Sequence, residues 1–96
     1  MNQSLRMKFR LYIAGDAPNS VLAVANLKAI CREYLPERHE IEIVDVVYHP
    51  RQALDDGVLL TPTVVKLAPN PVRKIIGNLS DRQAVLYALG LQSLSP

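Results

Sequence analysis

The sequence predicts an α/β fold in which a β-α-β unit is followed by a second helix, two further strands and a last helix. Three observations support this order. Apolar and polar residues alternate in the first segment, an apolar stripe with helical spacing follows, and the next segment is again rich in β-branched residues. The 96 residues suffice for one domain with one core. We therefore expect a single domain over 1–96, frayed at 1–6 and 92–96.

The first strand is predicted over Met7 to Ala14, because its residues alternate between two faces. One face carries Met7, Phe9, Leu11 and Ile13, and the other carries Lys8, Arg10 and Tyr12. A period of two in a segment of this composition is typical of a strand.

The first helix is predicted after the loop Gly15 to Ser20 and runs to about Leu35. Asn19 or Ser20 is expected to cap its start, and Pro36 to end it. Its apolar stripe has spacings of three and four and consists of Val24, Leu27, Ile30, Cys31, Tyr34 and Leu35.

The second strand is predicted over Glu40 to Val47. Charged and apolar residues alternate at its start, and then Val44, Val46 and Val47 break the alternation, which indicates cover on both faces. A strand, a helix and a second strand in this order form a right-handed unit with parallel strands. Residues 7–47 are therefore predicted to be the βαβ half of the fold.

The second half is predicted to contain a short helix over Pro50 to Asp56 and strands over Thr63 to Leu67 and Val72 to Ile76. The proline-rich turn between these two strands makes them an antiparallel pair. A last helix is predicted to begin at Ser80, since Ser80 and Gln83 have the spacing of a capping box.

Charge and composition exclude several classes of function. The net charge is only +2, and Arg73-Lys74 is the one local basic cluster, so we expect no nucleic-acid partner. No apolar run reaches the roughly 18 residues of a membrane span, and the polar start is not that of a secretory signal. The single cysteine cannot form an intramolecular disulfide, and together these features predict a cytoplasmic protein without membrane contact.

No residues in the sequence assemble a catalytic or metal site, so we expect no enzyme and no cofactor. Cys31 lies on the apolar stripe of the first helix, where a buried small hydrophobe is expected rather than a reactive thiolate. His39 and His49 flank the second strand and are expected to be solvated, because a metal site needs three or four ligands at suitable spacing.

The tripeptide Thr61-Pro62-Thr63 stands where a thioredoxin-type domain has its cis-proline, and the element order is the minimal thioredoxin-like order. In a redox thioredoxin this proline faces two cysteines, but the loop Gly15 to Ser20 contains none. Pro62 is therefore the candidate cis-proline of a scaffold that works by binding. Two roles are open for the peptide bond between Thr61 and Pro62. A cis bond here is purely structural, or the exposed backbone beside it docks an extended partner segment.

Several segments, taken together and in order, resemble the KaiB family of circadian-clock proteins over about Lys8 to Leu91. They are Leu11-Tyr12-Ile13-Ala14-Gly15 with Pro18-Asn19-Ser20, Asp45-Val46, Thr61-Pro62-Thr63, and Pro71-Val72-Arg73-Lys74-Ile75-Ile76-Gly77 with Leu79-Ser80-Asp81-Arg82.

This resemblance implies a non-enzymatic protein that binds the N-terminal ATPase ring of KaiC and modulates its phosphorylation cycle. In cyanobacteria such a protein also sequesters KaiA and competes with the sensor kinase SasA. The family is metamorphic: the C-terminal half has a non-thioredoxin arrangement in a resting homo-tetramer or homo-dimer, and a thioredoxin-like one when bound. The resemblance therefore implies that the isolated chain adopts the resting arrangement. Two packings of one sequence need differ by only a few kcal/mol, so the local signals for the thioredoxin-like arrangement do not decide between them.

The resemblance also implies where binding and switching occur. The fold-switch segment matches Gly77, Asn78, Leu79, Ser80 and Asp81. The partner-binding residues expected at the end of the second strand and in the turn after it are Asp45, Val46, Tyr48, Pro50 and Arg51. Asn78 stands where cyanobacterial relatives usually have aspartate, Asp16 stands where they usually have asparagine, and the sequence ends at Pro96 without the longer acidic tail of many of them. Together these departures suggest a member from a bacterium with a reduced KaiB–KaiC system, without KaiA and tied to stress adaptation.

Two other functions stay open. One is a role of the thioredoxin scaffold in the response to oxidative stress, which requires that Cys31 react readily in the folded protein. The other is an adaptor for a sensor kinase, because the sensor domain of SasA shares this scaffold.

Overall fold

The computed structural model describes residues 6–91 and confirms the predicted order of strands and helices. The elements are β1 (Met7–Ile13), α1 (Pro18–Tyr34), β2 (His39–Asp45), α2 (Pro50–Asp55), β3 (Thr63–Ala68), β4 (Arg73–Ile76) and α3 (Arg82–Ala88). Most bounds differ from the sequence prediction by one or two residues. The expected fraying at the two ends lies largely outside the described residues.

The four strands form one sheet in the order β2-β1-β3-β4. β1 and β2 are parallel, with Leu11 opposite Ile43. β3 runs antiparallel to β1, and β4 runs antiparallel to β3. The β1-α1-β2 half is therefore the predicted parallel unit, and the whole sheet is the thioredoxin-like arrangement.

The main core lies between one face of the sheet and the helices α1 and α3. The strands contribute Phe9, Leu11 and Val64, and each is at most 1% exposed. The helices contribute Ala23, Leu27, Ile30, Cys31, Val85 and Leu86. Burying a side chain of the size of leucine or phenylalanine stabilises the fold by about 1.5–3 kcal/mol, so this face holds α3 to the sheet.

A second, smaller core lies on the opposite face of the sheet, beneath α2. It consists of Tyr12, Val44, Ala53, Val58 and Val65. Tyr12 shares a strand face with Lys8 and Arg10, but it is completely buried. The period of β1 therefore predicted the face on which Tyr12 lies but not its environment.

Two predicted helix starts are wrong. α1 begins at Pro18, and its N-cap residue Ala17 has no side-chain bond; Ser20 is instead buried and accepts the backbone N–H of Ala14 at 3.1 Å. α3 begins at Arg82, and its cap is Asp81, which accepts the N–H of Ala84 at 3.2 Å. Ser80 lies outside the helix, and its N–H bonds to the side chain of Asn78.

The Thr61-Pro62 peptide bond is cis, as predicted, and Pro62 is buried. The Ala68-Pro69 and Asn70-Pro71 bonds are also cis, which the sequence did not predict. Within residues 6–91, no helix is both long enough and apolar enough to cross a membrane.

Candidate binding surface

Asp45 ends β2 and shapes the turn that follows it. Its carboxylate accepts the backbone N–H of Gly15 at 3.2 Å and that of Val47 at 2.9 Å. Its backbone carbonyl accepts the N–H groups of Tyr48 and His49 at 3.1 and 2.9 Å. Both carboxylate oxygens are thus engaged within the chain, so Asp45 is suited to position the turn rather than to contact a partner.

The turn after β2 and the helix α2 present large apolar side chains to solvent. The exposed fraction is 67% for Val47, 77% for Tyr48 and 64% for Leu54. Leu59 and Leu60, in the loop before Pro62, are 85% and 60% exposed. We call these five side chains the α2 surface. Apolar side chains exposed together are typical of interaction sites, since an isolated protein gains nothing from leaving them in water.

A groove runs between α2 and the loop before Pro62. It is lined by Val46, Pro50, Ala53, Leu54, Val58, Leu59, Leu60 and Thr61. Two residues predicted from sequence to bind a partner, Val46 and Pro50, line this groove. A third, Tyr48, lies in the turn before α2. Arg51 is exposed on α2 and forms no ion pair with another described residue.

Sequence reasoning missed Leu54, Leu59 and Leu60. The run Val58-Leu59-Leu60 follows Gly57 without strand periodicity, and this pattern is the signal that could have identified a loop with exposed apolar residues. Only Val58 of the three points into the core, where it is 6% exposed.

A polar network beneath α2 ties the helix to the sheet. The hydroxyl of Tyr12 donates to the carboxylate of Asp56 and lies 3.2 Å from the carbonyl oxygen of Gln52. Arg10 bonds through Nη1 to Asp56 at 3.0 Å and through Nε to Glu42 at 2.8 Å. The network therefore joins β1, β2 and the end of α2.

The network shifts the pKa values of its members in the directions that its geometry requires. Burial, together with the bond to Asp56, raises the pKa of Tyr12 to about 12. Burial alone would raise the pKa of Asp56, but hydrogen bonds from Tyr12 and Arg10 outweigh it and hold that pKa below its ordinary value. Near neutral pH the network thus contains a neutral phenol and a charged carboxylate.

The segment Gly77 to Asp81 lies against α1 and against the cis-proline loop. The N–H of Gly77 donates to the carbonyl of Pro62 at 2.9 Å. Leu79 has a positive φ of 64° but is only 5% exposed, so its side chain is held in the main core in a backbone conformation that leucine rarely adopts. The segment and the α2 surface therefore meet at the loop that contains Thr61 and Pro62.

Neither Cys31 nor the histidines assemble a reactive centre. Cys31 is completely buried, and burial raises the pKa of its thiol to about 12. His39 is half-buried, and its Nδ1 lies 2.7 Å from the carbonyl oxygen of Leu35, so the expectation of a solvated ring is wrong for this residue. His49 is exposed as expected. Within residues 6–91, no three potential ligands lie close enough together to hold a metal ion.

Solved structures with the same fold include the N-terminal domain of SasA and thioredoxins. The N-terminal domain of Synechococcus elongatus SasA superposes with a TM-score of 0.74 at 19% sequence identity, over 95% of this chain and 86% of that domain. The germline-specific thioredoxin Deadhead from Drosophila superposes with a TM-score of 0.71 at 16% identity, over 92% of this chain and 82% of that protein. Identities this low establish the thioredoxin-like fold alone.

Curated relatives are much closer in sequence. The circadian clock oscillator protein KaiB of Microcystis aeruginosa is 48% identical over 82 residues, which are 85% of this chain and 79% of that protein. The circadian clock oscillator protein KaiB1 of Synechocystis is 46% identical over the same share of this chain and 78% of its own length. The model of the KaiB domain matches residues 10–91. By this match and these identities, the chain belongs to the KaiB family of circadian-clock proteins.

Proposed function

We propose that this protein is a non-enzymatic clock or stress-timing protein that binds a KaiC-like ATPase and modulates the phosphorylation cycle of that ATPase. The observation that carries the proposal is the α2 surface, five exposed apolar side chains beside a groove in a chain of the KaiB family. In this proposal the protein acts in the cytoplasm. It acts by binding alone, because the thiol of its one cysteine is buried.

The α2 surface combines one aromatic side chain with aliphatic side chains that surround a groove. Tyr48 supplies a large amphipathic ring, and three leucines surround the groove. Aromatic anchors carry much of the binding energy of protein interfaces, and the apolar side chains around them exclude water. Among the residues predicted from sequence, Tyr48 belongs to the α2 surface, Val46 and Pro50 line the groove beside it, and Arg51 is exposed next to Pro50. In this proposal Asp45 makes no contact with the partner and instead fixes the turn after β2 through its hydrogen bonds to Gly15 and Val47.

The second part of the proposal concerns conformation. The described arrangement is the thioredoxin-like one, and in it α2 and the loop before Pro62 together form the groove. We assign this arrangement to the bound state and a resting homo-tetramer or homo-dimer to the isolated chain. Gly77 to Asp81 is then the hinge, which is supported by its glycine at φ +119° and by Leu79 at positive φ.

A sensor kinase of the SasA type and, where the host has one, KaiA are further partners in this proposal. The likeness in fold between this chain and the N-terminal domain of SasA supports competition for one site on the ATPase. The same likeness favours a second candidate function, an adaptor for a sensor kinase that does not involve KaiC.

The test is binding to the KaiC-like ATPase encoded in the same genome, after long incubation with nucleotide. Tyr48→Ala and Leu59→Glu are expected to weaken binding about tenfold or more, since each removes an exposed anchor. Tyr87→Ala is the matched control, because Tyr87 is 74% exposed on α3, outside the α2 surface. All three side chains are exposed, so the variants should fold normally.

Two results would contradict the proposal. One is that the unaltered protein forms no complex with the ATPase in any nucleotide state. The other is that Tyr48→Ala and Leu59→Glu bind as tightly as Tyr87→Ala. Capture of a sensor kinase in place of the ATPase would instead favour the adaptor function.

A further inference from the structure

We infer that Tyr12 and Asp56 are positioning residues for partner binding, because together they fix α2 and the following loop in the orientation that forms the α2 surface. This inference rests on the proposed function. It assigns a role to residues that face away from the partner.

Helix α2 has little to hold it in place by itself. It has only six residues, Pro50–Asp55, and helices this short are not stable without tertiary contacts. Ala53 is its one buried residue, and a methyl group packed on the sheet provides little apolar contact. The N-cap residue His49 makes no side-chain bond to the helix. Polar contacts must therefore supply much of what orients α2.

These contacts come from the centre of the sheet. Tyr12 and Arg10 lie on the same face of β1, one of the two inner strands of the sheet. Tyr12 reaches both the carbonyl of Gln52, inside α2, and the carboxylate of Asp56, directly after it. Arg10 bonds to the same carboxylate at 3.0 Å. Hydrogen bonds to a charged acceptor are stronger than neutral ones, and here they converge on one residue at the end of the helix.

A second cation, Lys74 on β4, lies beside the site on the same face of the sheet. Gly57 has a φ of +70°, and a Cβ built on it would lie 2.7 Å from the Nζ atom of Lys74. The ammonium group of Lys74 therefore occupies the space beside the backbone immediately after Asp56, and its charge also lowers the pKa of Asp56. The turn is thus held between β1 and β4.

The bonds of Tyr12 and Arg10 to Asp56 position both walls of the groove. Leu54 precedes Asp56 in the last turn of α2, and Leu59 and Leu60 follow it after the glycine turn. Movement of Asp56 would therefore move both walls. Tyr12 itself is completely buried, so it cannot contact a partner in this arrangement. Any effect of its hydroxyl on binding must act through position.

The experiment compares Tyr12→Phe with Tyr87→Phe in two measurements. One is affinity for the KaiC-like ATPase from the same genome, and the other is amide hydrogen exchange, followed by NMR, in the thioredoxin-like form of the isolated variants. Tyr12→Phe should weaken binding about five- to tenfold, the loss expected for one such hydrogen bond. It should also speed exchange in residues 50–60 while α1 and β1 keep their protection. Tyr87→Phe should change neither.

Asp56→Asn provides a second variant that keeps an acceptor for Tyr12 but removes the charge that Arg10 and Lys74 face. It should speed exchange in residues 50–60 as well. The inference is overturned if exchange in residues 50–60 is unchanged in both variants, or if protection falls equally throughout the chain. It is also overturned if the unaltered protein binds the ATPase and Tyr12→Phe binds it equally well. Absence of binding by the unaltered protein would contradict the proposed function. The exchange measurement would still decide whether the bonds of Tyr12 and Arg10 to Asp56 hold α2 in place.

Discussion

The side-chain amide of Asn26, in the middle of α1, donates a hydrogen bond of 2.9 Å to the backbone carbonyl of Asn78. The side chain of Asn78 in turn donates to Asn19 at 3.0 Å and accepts the N–H of Ser80 at 3.0 Å. The segment Gly77 to Asp81 is thus tied to the first helix at Asn78, through its backbone carbonyl to Asn26 and through its side chain to Asn19. This places a polar tether of the C-terminal half directly at the predicted hinge.

Replacing Asn78 by alanine should loosen the C-terminal half while the β1-α1-β2 half stays folded. Two of the three hydrogen bonds are lost, which should lower the free energy of unfolding by about 1–2 kcal/mol. We expect amide protection to fall first in α3 and β4, because their connection runs through this segment. Hydrogen exchange followed by NMR measures this residue by residue.

Gln83→Ala is the control for this substitution, since Gln83 is an exposed amide on α3 that makes no side-chain hydrogen bond among the described residues. Equal exchange in Asn78→Ala and Gln83→Ala would contradict the assignment of the hinge.

The thiol of Cys31 should react only when the protein opens. Burial raises its pKa to about 12, so almost no thiolate is present near neutral pH, and the sulfur is inaccessible. Labelling with an aromatic disulfide reagent at pH 8 should be slower by on the order of a hundredfold or more than in denaturant. Rapid labelling of the folded protein would instead support a role in oxidative stress.

Acid should weaken the protein partly through Asp56. Its folded pKa lies below the ordinary value of 3.8, so the stabilisation by this carboxylate is fully present above that value. It is lost as the pH falls through the folded pKa. We therefore expect Asp56→Asn to show a shallower loss of stability than the unaltered protein below about pH 4.

Urea unfolding between pH 3 and pH 7 measures this difference. Asp55→Asn is the matched control, because Asp55 is the exposed neighbour and makes no ion pair with a described residue. Parallel pH profiles for the unaltered protein and Asp56→Asn would show that the pairing with Arg10 and Tyr12 contributes nothing to stability.

Local patterns account for the parts of the fold that the sequence predicted. The period of two in β1 and the helical stripe of α1 are properties of neighbouring residues, and they were sufficient for the order of the elements. Helix ends were less well predicted. Ser80 and Asp81 are both good caps by residue type, and only the structure shows that Asp81 accepts the N–H of Ala84 while the N–H of Ser80 bonds to Asn78.

The candidate site was predicted only in part, for a similar reason. Tyr48, Pro50 and Arg51 are exposed, but Asp45 turns its carboxylate inward to Gly15 and Val47, and the sequence does not show which partner it takes. Residue type alone does not distinguish the exposed Leu59 from a leucine of the core. Its 85% exposure follows from the position of the loop beside α2, which no local pattern contains.

The sequence by itself determined the order of strands and helices, the candidate position of a cis-proline between Thr61 and Thr63, the absence of paired cysteines and the membership in a family. These features depend on residue type and short spacings. Only the tertiary structure decided that Tyr12 is buried beneath α2, that Asp56 collects the bonds of Tyr12 and Arg10, and that three asparagines hold the predicted hinge. Such contacts join residues up to 59 positions apart, so they exist only once the sheet has brought those residues together.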